Sequence, residues 1–141
     1  MRPILIILCF LTGLHAGAQQ YKDTTFTERG FTCTCKYNFN SEDDNKLFDR
    51  SEIPARYPGG DAEWKKFVKM NIDRSYKGKH PVEIRFQVDK NGDLSTFMLQ
   101  NKAPNQKYEE VVRLLRSSGK WFPSVQNGFC AKSYVRLSFE L

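Results

Sequence analysis

The sequence predicts a two-layer α+β sandwich, with two helices packed on one face of a three-stranded antiparallel sheet. Three observations lead there. Val82, Ile84, Phe86 and Val88 alternate strictly with polar residues, Asn91-Gly92 follows directly, and two further stretches carry apolar residues at helical spacing. Two amphipathic helices can cover the apolar face of such a sheet and leave its polar face in water.

The first helix is placed after the turn Pro58-Gly59-Gly60, from Asp61 to Asn71. Asp61 is suited to cap free backbone N–H groups there, and Trp64, Phe67, Val68 and Ile72 form the apolar stripe. Trp64 reads as a core anchor, and Glu63, Lys65, Lys66 and Lys69 take the wet face. The strand Val82–Val88 then exposes Glu83, Arg85 and Gln87 on its polar side. Asn91-Gly92 tolerates the positive φ of a tight turn, so Leu94 to Gln100 is expected to return antiparallel. Leu94 and Phe97 have opposite parity, and keeping both inward requires an extra residue near Ser95 or Thr96. Tyr108, Val111, Val112 and Leu115 mark a second helix ended by Ser117-Ser118-Gly119. The last strand is placed from Tyr134 to Leu141, with Val135, Leu137, Phe139 and Leu141 facing one way.

The first 18 residues are read as a cleaved export signal: Arg2, the short apolar run Ile4 to Leu14, and the small residues Ala16-Gly17-Ala18 fall in the expected order. The run is shorter than the roughly 18 apolar residues of a membrane-spanning helix. Residues 19–53 form a polar arm in which Phe31, Cys33, Cys35 and Tyr37 alternate as one strand or a hairpin. Asn40 to Asn45 is a loop by composition, and 54–141 is the main domain.

The chain has 141 residues, 22 Lys+Arg against 16 Asp+Glu, 40% hydrophobic and 27% charged residues. One domain fits that length. The basic excess is mild and interspersed with acids, as in Glu63-Trp64-Lys65-Lys66, so a nucleic-acid partner is not expected.

Export places Cys33, Cys35 and Cys130 where disulfides persist, after Cys9 leaves with the signal. In a strand Cys33 and Cys35 project to one face and either could meet Cys130; the bridge favoured here is Cys35 to Cys130. The Cys-Thr-Cys spacing is not the Cys-x-x-Cys of redox or zinc sites, so no metal and no cofactor are expected, even with His80 at hand. Cys9 lacks the setting of a lipoprotein signal. Catalysis is not expected either: after export one histidine remains, His80, and no nucleophile motif, phosphate loop or paired carboxylates are present. Asp43 and Asp44 lack the alternating carboxylates of a calcium loop.

Three ordered motifs carry a resemblance: Arg56-Tyr57-Pro58-Gly59-Gly60 before the first helix, Val88-Asp89-Lys90-Asn91-Gly92 closing a strand, and Trp121-Phe122-Pro123 with Gln126-Asn127-Gly128 before the last strand. Over 54–141 the chain resembles the C-terminal domain of TonB-type energy transducers, in the style of the Bacteroidetes proteins. It departs from the family in lacking the uncleaved membrane helix and Pro-rich spacer, in Ser124 where glycine usually follows proline, and in Asp73 to Pro81, which has no Tyr-Pro pattern.

The resemblance implies a periplasmic protein-binding module for TonB-dependent outer-membrane transport, neither enzyme nor membrane-spanning. Its last strand, at a sheet edge, would pair with a segment of an outer-membrane receptor or another periplasmic protein. By position Ser133, Tyr134, Val135, Arg136, Leu137 and Ser138 offer that edge, and Tyr134, Arg136 and Ser138 are the side chains placed to give specificity. The alternative is a scaffold or homodimer whose arm, Phe31 to Tyr37, covers the same edge.

Overall fold

The computed structural model describes residues 21–38, 46–76 and 80–140. The export signal, the loop Asn40 to Asn45 with Asp43 and Asp44, and Leu141 lie outside the described residues. In chain order the elements are β1 (Tyr21–Glu28), β2 (Phe31–Asn38), β3 (Leu47–Phe48), α1 (Gly60–Asn71), a 3-10 turn (Arg74–Tyr76), β4 (Val82–Val88), β5 (Leu94–Leu99), α2 (Asn105–Ser117), β6 (Ser124–Gln126) and β7 (Phe129–Phe139).

The sheet corrects the expected fold. It has seven strands rather than three, in the order β1-β2-β7-β4-β5 with β3 and β6 also on β7, and it is mixed rather than antiparallel. Strands β2 and β3 run parallel to β7, whereas β1/β2, β4/β5, β4/β7 and β6/β7 are antiparallel. Apolar periodicity identifies strands that bury a face, and β5, β4 and β7 do so. The other four are short or polar and gain their place through backbone ladders and a disulfide, which leave little trace in apolar spacing. The arm is therefore a hairpin inside the same sheet, turning at Arg29 and Gly30, both of positive φ.

The core lies between the sheet and the helices. Val82, Ile84, Phe86 and Val88 are fully buried, covered by Trp64 and Phe67 of α1 and by Val111, Leu114 and Leu115 of α2. Trp64 lies 5.2 Å from Trp121 and 5.8 Å from Phe139, ring centre to ring centre. Asp61 does not cap α1: the cap position is Gly59, at φ 85, without a side-chain cap, and Asp61 sits in the first turn, where its charge favours the positive helix end. The left-handed Gly59 also leaves room for the Phe31 ring, which comes 2.7 Å from where a Cβ would stand.

Between β4 and β5 the register passes from Arg85↔Met98 to Gln87↔Ser95, so β5 holds one residue more than β4. Thr96, at φ 53, lies in this bulge, and Phe97 is turned onto Phe86 with centroids 6.1 Å apart. The last strand begins at Phe129, earlier than the expected Tyr134, because Asn127 and Gly128, both of positive φ, turn β6 into β7.

A buried carboxylate ties the helices together. Glu110 accepts from the Arg113 guanidinium at 2.6 and 2.7 Å and from the Asp73 amide at 3.0 Å, just beyond α1. The Arg113 hydrogen bond holds the Glu110 carboxyl below the usual carboxylate range against the opposing effect of burial.

Candidate functional site: the outward edge of the last strand

The direction of the backbone groups along β7 can be followed from one hydrogen bond. The Gln100 amide donates to the Glu83 carbonyl at 2.8 Å, so Glu83 turns its backbone toward β5. Successive residues of a strand alternate sides, so Val82 and Ile84 turn theirs toward β7. Their partners are Phe139 and Leu137. The odd-numbered residues of β7 therefore engage β4, and Tyr134, Arg136 and Ser138 direct their amides and carbonyls away from it.

On that outward side the neighbours change along the strand. At its start β2 is alongside, with the Lys36 amide donating to the Gly128 carbonyl at 2.8 Å and Lys36 opposite Phe129. Next comes β3, with Leu47 opposite Lys132 and Phe48 opposite Ser133. Past Ser133, no strand among the described residues pairs with the outward side of β7. The last strand is thus interior for its first half and an edge only for its second; of the edge expected at Ser133 to Ser138, Ser133 lies alongside β3.

The six residues nominated from sequence divide accordingly. Ser133 is 3% exposed, lies opposite Phe48 of β3, and as an odd-numbered residue turns its backbone to Val88 of β4, so it is not available to a partner. Val135 and Leu137 are partly buried against the core, and their backbone groups engage β4. Tyr134, Arg136 and Ser138 share the polar face and the outward direction. Tyr134 is held in place: the Arg85 guanidinium lies 3.6 Å from its ring centre, and the Gln87 amide donates to its hydroxyl at 3.2 Å. Arg85 in turn is ion-paired with Asp49, just past β3. Arg136 stands opposite Arg85 across the β4/β7 ladder, is exposed, and has no acidic partner among the described residues. Asp49 neutralises one of these two cations and leaves the other to solvent.

Cys35 and Cys130 form a disulfide with Cα atoms 5.2 Å apart, joining β2 to β7 across 95 residues; Cys33 is a buried free thiol. The hairpin tip is latched as well. The Arg29 guanidinium lies 5.4 Å from the ring centres of both Tyr57 and Phe67 and donates to the Ser118 carbonyl at 3.2 Å. Sequence reasoning missed β3, Asp49 and this latch. The Arg29-Gly30 pair between two alternating, Thr-rich runs was the available signal for the hairpin, whereas nothing in a two-residue strand announces β3.

The far edge of the sheet differs. Phe97 directs its carbonyl outward from β5, and the Tyr108 hydroxyl donates to it at 3.0 Å. The adjoining open groove, about 1030 Å³, runs between β5 and α2. Its cations are engaged, Arg113 by Glu110 and Arg116 against the Phe97 ring. Among the described residues no three His, Cys, Asp or Glu side chains converge on a point that could hold a metal, and no helix is long and apolar enough to cross a membrane.

Comparison with family models, curated proteins and solved structures finds no match to this chain. What the geometry shows is a stretch of sheet edge past Ser133 whose outward backbone groups pair with no strand among the described residues, with Arg136, which has no acidic partner among them, beside it.

Proposed function

We propose that the chain is a periplasmic protein-binding module, one that accepts an extended segment of an outer-membrane receptor of the TonB-dependent kind, or of another periplasmic protein, along the outward side of β7. The observation that carries this reading is the outward backbone of Arg136 and Ser138, which no strand among the described residues pairs, in a sheet whose β5 edge is closed at Phe97 by Tyr108. An added strand completes hydrogen bonds that solvent would otherwise satisfy, and side chains next to the edge select its sequence. No cofactor or catalytic step enters this reading. The scaffold alternative, with the arm covering the edge, is favoured only over Phe129 to Ser133, where β2 and β3 lie.

The test is amide hydrogen exchange with and without a synthetic peptide from a receptor's N-terminal segment. Binding by strand addition slows exchange at Arg136 and Ser138 and leaves Leu137 unchanged, because its amide already engages β4. A peptide that binds without slowing exchange at Arg136 and Ser138 defeats the proposal.

A further inference from the structure

We infer that the outward edge of β7 also accepts a second copy of this chain, antiparallel and in a register centred on Ser138. The inference rests on the reading that this edge is open, and it adds an occupant that the receptor proposal does not contain.

The argument comes from the order of side chains along the free half of the strand. On the polar face stand Arg136 and Ser138, and Glu140, the residue just beyond β7, continues their parity, all three exposed; on the helix face stand Leu137, partly buried, and Phe139, buried against Trp64. An isologous dimer applies one two-fold operation, so two β7 edges meet antiparallel and each residue opposes its mirror position. Outward-directed residues must oppose one another to exchange hydrogen bonds, which restricts the registers to a few.

Centring on Arg136 sets it against itself, and like charges directly opposite are destabilising. Centring on Leu137 sets Arg136 against Ser138 and brings the strand end of the second copy to Tyr134, beside Phe48 of β3. Centring on Ser138 sets Arg136 against Glu140 of the second copy and, by symmetry, Glu140 against its Arg136. It also sets Leu137 against Phe139 twice on the apolar face. The pairing then lies within 136–140, clear of β3. Each opposed outward pair exchanges two backbone hydrogen bonds, and neither Arg136 nor Glu140 has another ionic partner among the described residues. The charges on this short edge are therefore complementary to themselves in one register only. In it the two sheets become continuous, with both helical layers on the same side.

The test is sedimentation equilibrium of the purified chain into the high micromolar range, with circular dichroism to show that each variant is folded. The wild type is expected to form a dimer. Arg136→Glu and Glu140→Arg each oppose like charges twice and should weaken association by about tenfold or more, and the double exchange should restore it to within roughly threefold of wild type. Ser138 faces itself across the two-fold, at the Cα separation of about 5.5 Å that suits a disulfide. Ser138→Cys should accordingly oxidise to a covalent dimer, whereas Arg136→Cys, which faces Glu140, should not. A monomeric wild type throughout the range overturns the inference. So does a dimer that both single reversals leave unchanged, one that the double exchange fails to restore, or a folded Ser138→Cys chain that stays monomeric under oxidation. Peptide binding is measured on dilute monomer, so loss of the dimer with retained peptide binding removes this inference alone, and the converse removes the receptor proposal alone.

Discussion

Gly92 and Trp121 are in backbone contact: the Trp121 amide donates to the Gly92 carbonyl at 3.0 Å, and a Cβ on Gly92 would stand 2.1 Å from the Trp121 carbonyl oxygen. Gly92 also has φ 83, so both space and conformation demand glycine at the turn between β4 and β5. Gly92→Ala is expected to lower stability by about 2 kcal/mol or more through strain and displacement of Trp121. Denaturant unfolding checks this; an unchanged midpoint would mean the contact yields without cost.

The alternation along β7 separates two neighbouring proline substitutions. Arg136→Pro deletes an outward N–H and should weaken a strand-adding peptide while leaving the β4 ladder intact. Leu137→Pro removes an N–H directed at β4, so its first effect should be on stability. Calorimetric titration and thermal unfolding of both variants give the comparison. Retained wild-type peptide affinity in a folded Arg136→Pro chain would place the binding site elsewhere.

Phe86 is fully buried against Trp121 and Phe97, and Phe86→Ala should cost about 3–5 kcal/mol. Its neighbour Arg85 is not the idle surface residue its polar parity suggests. It stacks on Tyr134 and pairs with Asp49, so Arg85→Ala should cost roughly 1–2 kcal/mol. Midpoints in urea rank the two, and equal values would show that the faces of β4 are misassigned.

Cys35 and Cys130 close a loop 95 residues apart in sequence. Cross-linking the unfolded chain over such a distance stabilises by about 2–5 kcal/mol, and reduction or Cys35→Ala should remove that amount. Cys33→Ala, lacking a bridge to lose, should have a smaller effect. Unfolding with and without dithiothreitol makes the measurement.

Glu110 carries a pH dependence whose sign follows from its hydrogen bonds. Its folded carboxyl is held below the usual range by Arg113, so as pH falls the unfolded chain takes up the proton first. The stabilisation is fully present above the unfolded carboxylate value of about 4.3 and is lost as pH drops through the lower folded value. Glu110→Gln should therefore cost about 1–3 kcal/mol at neutral pH, and the gap from wild type should narrow in acid. A gap constant with pH would mean that the pair contributes nothing through its charge.

Legibility from sequence followed burial. Val82 to Val88, the stripes of both helices and the extra residue on β5 all write their positions in apolar spacing, because each inserts side chains into the core. Register and neighbours outside the core were not legible. The partners of β7 on its outward side are chosen by backbone geometry and by Cys35 and Cys130, and Leu47-Phe48 is too short to show a period. Hence the sheet was expected to be three-stranded and its last strand to begin only at Tyr134, without the flanked half from Phe129. The same limit applies to the candidate edge: the alternation of Arg136 and Ser138 with Leu137 is legible because parity orders a strand, whereas the neighbour of Ser133 is not, because β3 gave no sign of itself.

Tyr108 closing the Phe97 carbonyl bears on how far any assembly of this chain can grow. Open-ended stacking of sheets requires a receptive flank at each end of the repeating unit, and the β5 flank is occupied by a hydroxyl from its own α2 and distorted by the bulge at Thr96. A strand received at β7 therefore finds no matching acceptor at β5 to continue the series. At the β5 end of the sheet, one side chain thus stands where a further strand would have to pair, and growth begun at β7 is not continued through β5.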